Sequence, residues 1–371
     1  MEDLDLKERL KKVINDIHVK APHLNINTTE IASYETRGGI LNKQTIKRII
    51  IYLRSSGCQW MIDNGGCSMC GHFVGTTRGK KIDSKDYVEQ FKKIVSEIDF
   101  TETPMLCVYN AGSFLNDNEM PDDARVEIYK IINTIDKVKR VIFESRPEYI
   151  TEEKINELKE YIKDKEIEIG MGIETSNEFI RDICLNKGFK VDEFKRALKL
   201  LKENSIFSLG YILLKPPFIN EKFAIEDSVN SIKWAFDNGI DIISLEPVSI
   251  QENTLISILH ELNLYRTPRI WSVFEVLRRT SNIGTIRVGG FEFFPSPFLC
   301  TSNCEKCDSK FLKFIEEYNK TNSINVVNEA LDTKCECKKE WLEDLENDNT
   351  EIKENINKFL EIYERRNRWV K

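Results

Sequence analysis

Between Ile46 and Pro247 the chain repeats one pattern: a short apolar run, a polar cluster, then a stretch with apolar residues at helical spacing. The runs are Ile46–Leu53, Pro104–Tyr109, Val141–Phe143, Ile167–Ile173, Phe207–Leu214 and Ile240–Leu245. A segment apolar at nearly every position reads as a strand covered on both faces, as in parallel sheets. The stretches between them have amphipathic helical faces, for example Tyr87, Phe91, Ile94, Val95 and Ile98 after Ser84. Thr151 stands where it caps a helix, and Gly239 where a helix needs a left-handed residue to stop. Six strand–helix units in succession leave two solutions, a doubly wound sheet or a curved partial barrel. Either carries its active site at the carboxyl ends of the strands. There the chain places Asn110-Ala111-Gly112-Ser113, Glu144-Ser145-Arg146-Pro147, Glu174-Thr175-Ser176, Lys215-Pro216-Pro217 and Glu246-Pro247.

The first run leads into Cys58-Gln-Trp-Met-Ile-Asp-Asn-Gly-Gly-Cys67-Ser-Met-Cys70-Gly71, a C-x8-C-x2-C spacing. Gly65 and Gly66 let the backbone take positive φ and approach a ligand closely. Three thiols with no fourth nearby leave one position of a metal centre open, or one iron of a four-iron cluster free for another ligand. The bland alternative is buried free cysteines on a loop. A second group comprises Cys300, Cys304, Cys307, Cys335 and Cys337. Cys304-x2-Cys307 and Cys335-x-Cys337, across a 27-residue gap, fit a structural zinc site. The spacing Cys300-x3-Cys304-x2-Cys307 makes an auxiliary Fe–S cluster the rival. Cys107 and Cys184 sit in apolar contexts and are expected in the core.

The ten cysteines come without an export signal, so reduced thiols and a cytoplasmic compartment are expected. No apolar run approaches the roughly 18 residues that cross a membrane. A net charge of −7 argues against indiscriminate nucleic-acid binding, which rests on phosphate neutralisation, but leaves room for a local basic surface. Three regions are expected: an N-terminal helical extension over 1–45, the strand–helix body over 46–250, and a C-terminal region over 251–371. The last holds a helix over Pro268–Ile283, one more strand over Ile286–Phe294 with a glycine break, the second cysteine group and charged helices.

The cysteine loop at the end of the first strand resembles the radical S-adenosylmethionine (SAM) superfamily, although the usual spacing there is C-x3-C-x2-C. Long first gaps belong to the branch of the elongator catalytic subunit. Glu144-Ser145-Arg146-Pro147-Glu148 and Asn186-Lys187-Gly188-Phe189 are similar to strand-end motifs of that branch. Within it the chain looks most like the archaeosine-forming radical SAM family of archaea. The matching segments run from Cys58-Gln-Trp to Cys70-Gly71-His72, then Lys215-Pro216-Pro217-Phe218, Pro247 to Thr254, and Tyr265 to Ser272.

The resemblance implies a partial (β/α)6 TIM-like barrel with a small cysteine-rich, metal-bound C-terminal region. It implies a [4Fe-4S] cluster on Cys58, Cys67 and Cys70, and SAM held by Met69, Asn110, Gly112, Ser113, Glu144, Arg146, Glu174, Thr175 and Lys215. No side chain is assigned a catalytic role, because the cofactor supplies the hard step. The implied substrate is a lysine-bearing 7-deazaguanosine in the D-arm of tRNA, from which C–N bond cleavage leaves archaeosine. The implied partners are tRNA, a lysine-transferring archaeosine synthase subunit and an electron donor. RNA contacts are expected from Arg78, Lys80, Lys81, Arg266, Arg269, Arg278, Arg279 and the Arg365–Lys371 tail, where Trp369 suits base stacking. The alternatives are another elongator-like radical SAM enzyme with a different substrate, or a non-catalytic RNA-binding protein in which both cysteine groups hold zinc.

Overall fold

The structure is a computed structural model describing residues 2–42, 44–291, 295–347 and 350–368. Its centre is one eight-stranded sheet with strands in sequence order: β1 (Ser33–Leu41), β2 (Gln44–Tyr52), β3 (Met105–Tyr109), β4 (Arg140–Glu144), β5 (Glu166–Glu174), β6 (Phe207–Leu214), β7 (Ile242–Pro247) and β8 (Thr285–Val288). The six predicted strands are β2 to β7, all parallel, and β8 continues the parallel series. The sheet curls into a half-barrel.

The barrel arises from alternation. Leu106, Val108, Val141 and Phe143 point outward into the layer shared with the surrounding helices. Their neighbours Ile50, Cys107 and Ile142 align across β2–β4 and form, with Leu41 and Met105, a separate inner cluster. That cluster plugs the barrel near the amino ends of its strands. Glu168 on β5 is also fully buried there, bonded to Arg287 of β8 at 2.6 Å and Arg140 of β4 at 3.2 Å. Burial alone would raise its pKa, but the two guanidiniums hold it below the ordinary value.

One strand departs from the sequence expectation. Residues 33–41, assigned to the N-terminal helical extension, form β1, an antiparallel edge paired with β2 from Ser33↔Tyr52 to Leu41↔Gln44. The extension's helix is present as Glu2–Lys20, burying Leu6, Leu10, Val13, Ile14 and Ile17. At the other edge β8 spans only Thr285–Val288; Glu292 to Phe294 of the strand expected there lie outside the described residues. The open side between β8 and β1 is spanned by the helix Asp308–Thr321. Asn319 on that helix bonds Val288 as a neighbouring strand would, accepting from its N–H and donating to its C=O, both at 2.8 Å. Among the described residues no helix is long and apolar enough to cross a membrane.

Candidate active site

A cavity of about 370 Å³ opens at the carboxyl ends of the strands and reaches down past Ile50 of the inner cluster to Arg48 and Arg287. All three thiols of the first cysteine group line it, with Met69, Gly112, Ser113, Glu144, Arg146 and Glu174. Three other residues expected at the cofactor are not among its lining. Asn110 lies just behind the rim, 1% exposed, with both side-chain amide atoms unpaired. Thr175 is buried and donates to Asp227 at 2.8 Å. Lys215 forms a buried ion pair with Glu221 at 2.7 Å; burial keeps its pKa below the ordinary lysine value despite that partner.

The cysteine loop is held by contacts from distant parts of the chain. Cys58 precedes a short helix, Gln59–Asn64, which ends at Gly65 in the left-handed conformation. Trp60 donates from Nε1 to the Asn186 carbonyl at 2.7 Å, and Asn186 Nδ2 returns to the Gly66 carbonyl at 2.7 Å and the Asn64 carbonyl at 3.1 Å. Ser68 N–H donates to Leu185, Leu255 N–H to Ser68, and Gly71 N–H to Gln251 Oε1 at 2.6 Å. Trp60 and Asn64, in the long first gap, therefore fasten the loop to 185–188. On its other side Glu119, unmarked in the sequence, accepts from Gln59 N–H at 3.0 Å, Asn116 Nδ2 at 2.8 Å and Ser113 N–H. A Cβ at Gly112 would collide with the Glu119 carboxylate, so this strand end requires glycine.

The strand-end charges are paired, though not as a direct Arg146–Glu174 bridge. Glu174 takes Lys187 at 2.6 Å, and Arg146 takes Glu148 at 2.5 Å and the Lys187 carbonyl at 2.9 Å. Arg146 also lies over the Trp60 ring at 4.9 Å, and its Nη2 is buried without a partner. Glu144 accepts from Tyr211 Oη at 2.6 Å, and Glu246 from Ser244 Oγ at 2.6 Å. Burial pushes each of these two carboxyl groups up to about 7. Burial likewise raises the thiols, Cys58 and Cys70 to about 12. A bound metal reverses that preference by taking the thiolate. Three thiols, the unpaired Asn110 amide just behind them, the free Nη2 of the Arg146 guanidinium and the strand end 111–113 along the cavity wall fit a thiolate-held cluster beside a ligand with carboxylate, amine and hydroxyl groups.

The second group assembles as four. The Sγ atoms of Cys304, Cys307, Cys335 and Cys337 lie within 4.8 Å of one another, with nearest separations of 3.5, 3.5 and 3.6 Å. Four sulfurs placed tetrahedrally about 2.3 Å from a centre would be about 3.8 Å apart, so the group fits a metal ion. Cys300 stands outside it, donating to the Phe291 carbonyl. Trp271 Nε1 donates to Cys337 Sγ at 3.4 Å, and Trp341 Nε1 to Ser272 Oγ, which donates on to Glu221. Lys215 thus belongs to the joint between barrel and C-terminal region.

The expected RNA-contacting residues divide. Arg78 is tied to the carbonyls of Ala21 and Pro22. Arg266 and Arg269 pair with Asp344, Arg278 with Glu275, and Arg279 with Glu226. Lys80 and Lys81 are exposed beside the cysteine loop. Trp369 to Lys371 lie outside the described residues.

Residues 52–224 match the profile of the Radical SAM superfamily. Archaeosine synthase subunit beta of Methanosarcina acetivorans is 30% identical over 342 residues, covering 91% of this chain and 96% of that protein. Its counterpart in Thermococcus kodakarensis is 32% identical over 230 residues, 62% of this chain and 70% of its own length. An uncharacterized protein of Methanocaldococcus jannaschii is 32% identical over 363 residues, 93% of this chain and 94% of the other.

Proposed function

The chain belongs to the radical SAM superfamily, and we propose that it acts on tRNA, cleaving a C–N bond of a lysine-adducted 7-deazaguanosine to leave the amidine of archaeosine. The observation that carries this reading is the cavity itself: three loop thiols and the charged strand ends open into one space. Near-full-length similarity to archaeosine synthase subunit beta supports the substrate class. Cys58, Cys67 and Cys70 would hold a [4Fe-4S] cluster, with SAM against 111–113, Met69, Glu144, Arg146 and Glu174. When bound, the cluster and SAM supply a 5′-deoxyadenosyl radical after one-electron reduction.

The chain's own residues orient and shield. Tyr211 and Ser244 fix the Glu144 and Glu246 carboxylates within the cavity, and the Trp60–Arg146 stack covers one flank of the cysteine loop. The four C-terminal thiols would hold zinc. Partners of this reading are tRNA, the lysine-transferring synthase subunit and an electron donor, in the cytoplasm.

The test is anaerobic reconstitution to about four irons per chain, followed by incubation with lysine-adducted tRNA, SAM and a reductant. Archaeosine detected by mass spectrometry is the expected result. SAM cleavage with no modified nucleoside would remove the substrate assignment.

A further inference from the structure

Most charges around the cavity have partners: Arg287 is taken by Glu168, Lys187 by Glu174, Arg146 by Glu148, and Arg37 by Glu35 at 2.6 Å. Arg48 differs. It lines the cavity, makes no ion pair among the described residues, and its Nε is buried without a hydrogen-bond partner. It stands directly opposite Arg37 in the β1–β2 register, and Arg37 lines the cavity too. Like charges facing each other across an antiparallel pair repel; Arg37 has Glu35 against it, whereas Arg48, among the described residues, has only the longer-range fields of Glu168 and Glu246. Glu246 has the complementary deficit. This buried carboxyl has one neutral donor, Ser244, and packs where any side chain at Gly289 would strike it. Arg37 and Arg48 stand within electrostatic reach of it, both favouring its charged form.

The cavity therefore offers guanidinium for an anion from β1 and β2 and carboxylate for a cation from β7. We propose that Arg48, with Arg37 beside it, and Glu246 form a receptor for the zwitterionic free end of the substrate's amino-acid moiety, the guanidiniums taking its carboxylate and Glu246 its ammonium. This rests on the lysine-adduct reading above. Lysine joined to a base through its side-chain nitrogen keeps its α-carboxylate and α-ammonium together at the free end, which is the arrangement the receptor requires; joined through the α-nitrogen it would present an ammonium alone there. Depth is consistent as well. Arg48 lies four residues before Tyr52 at the strand's carboxyl end, about 13 Å lower along β2. The adduct would then hang downward, keeping its base near the cysteine loop. Burying a charge without a partner is costly, so an adduct lacking either group leaves one member of the receptor unsatisfied.

The experiment uses the reconstituted holoenzyme and tRNAs carrying a lysine adduct, a decarboxylated adduct, or an adduct without the free amine. Wild type should bind the lysine adduct about tenfold or more tighter than either analogue. Arg48→Met and Arg37→Met should reduce discrimination against the decarboxylated adduct to about twofold or less, and Glu246→Gln should do so for the amine-free one. SAM binding by equilibrium dialysis should stay as in wild type. Full discrimination retained in Arg48→Met would overturn the receptor while leaving the substrate class intact, since wild type still forms archaeosine. Lost SAM binding in Arg48→Met would reassign the guanidinium to the methionine carboxylate of SAM, overturning it equally. A wild type that cleaves SAM but neither prefers nor converts the lysine adduct would sink the receptor together with the reading it rests on.

Discussion

Gly188 shows how much one residue carries at this site. It sits at φ +68°, where only glycine is at ease, and a Cβ there would run into the Trp60 indole. That indole holds the long gap between Cys58 and Cys67 against Asn186 and lies under Arg146. Gly188→Ala should cost roughly 1 kcal/mol in backbone strain and push Trp60 off its seat, loosening the thiol loop. Reconstituted protein should then retain less than about half the wild-type iron, with an altered near-ultraviolet Trp signal. Wild-type iron content with an unchanged signal would show that the contact does not position the cysteines. In the sequence this residue was legible only through the resemblance of Asn186-Lys187-Gly188-Phe189 to a family motif. Its role was not legible, because the indole it meets lies more than a hundred positions earlier. Glu119 was hidden for the same reason: it lies in an ordinary turn, and its value lies in reaching Gln59 and Ser113 at once.

Among elements, the parallel strands were readable because burial on both faces leaves an almost unbroken apolar word. β1 was not. Its sequence, Ser-Tyr-Glu-Thr-Arg-Gly-Gly-Ile-Leu, alternates with charged residues on the inner side, since Arg37 lines a polar cavity instead of a core and Glu35 pairs with it. A strand whose inside is polar carries no apolar period to detect. The closing helix Asp308–Thr321 was visible as a charged helix, but its function as a surrogate strand depends on Asn319 meeting Val288. Sheet edges left bare invite pairing with other chains, and here one amide side chain occupies both backbone groups. Asn319→Ala should remove two hydrogen bonds and destabilise the protein by about 1–3 kcal/mol in urea unfolding. Amide exchange at Val288 should quicken more than at the central strands. Equal protection of Val288 in variant and wild type would mean that the amide clasp adds nothing.

At the scale of the molecule, both chain ends close on the barrel. The N-terminal helix meets the C-terminal one through Arg9–Glu364 at 2.8 Å and Asp3–Lys353 at 2.6 Å. The four-thiol group joins the barrel through Trp271, Trp341, Ser272 and Glu221. The helix Asp308–Thr321 begins at Cys307, one of those thiols, and ends at the side chains that bond β8. It is consequently a measuring rod. Twelve residues separate Cys307 from Asn319, about 18 Å and three and a third turns, and both the span and the phase have to be right. One alanine inserted after Lys313 should turn Asn319 about 100° away from β8. The four sulfurs should still titrate one metal ion per chain, while the amides of Ile286 and Val288 lose protection from exchange. If both amides stay protected, the helix adapts its length and the rod is no rod. If they do not, the number of residues between a metal knot and an amide clasp is as much a part of this protein's specification as their identity.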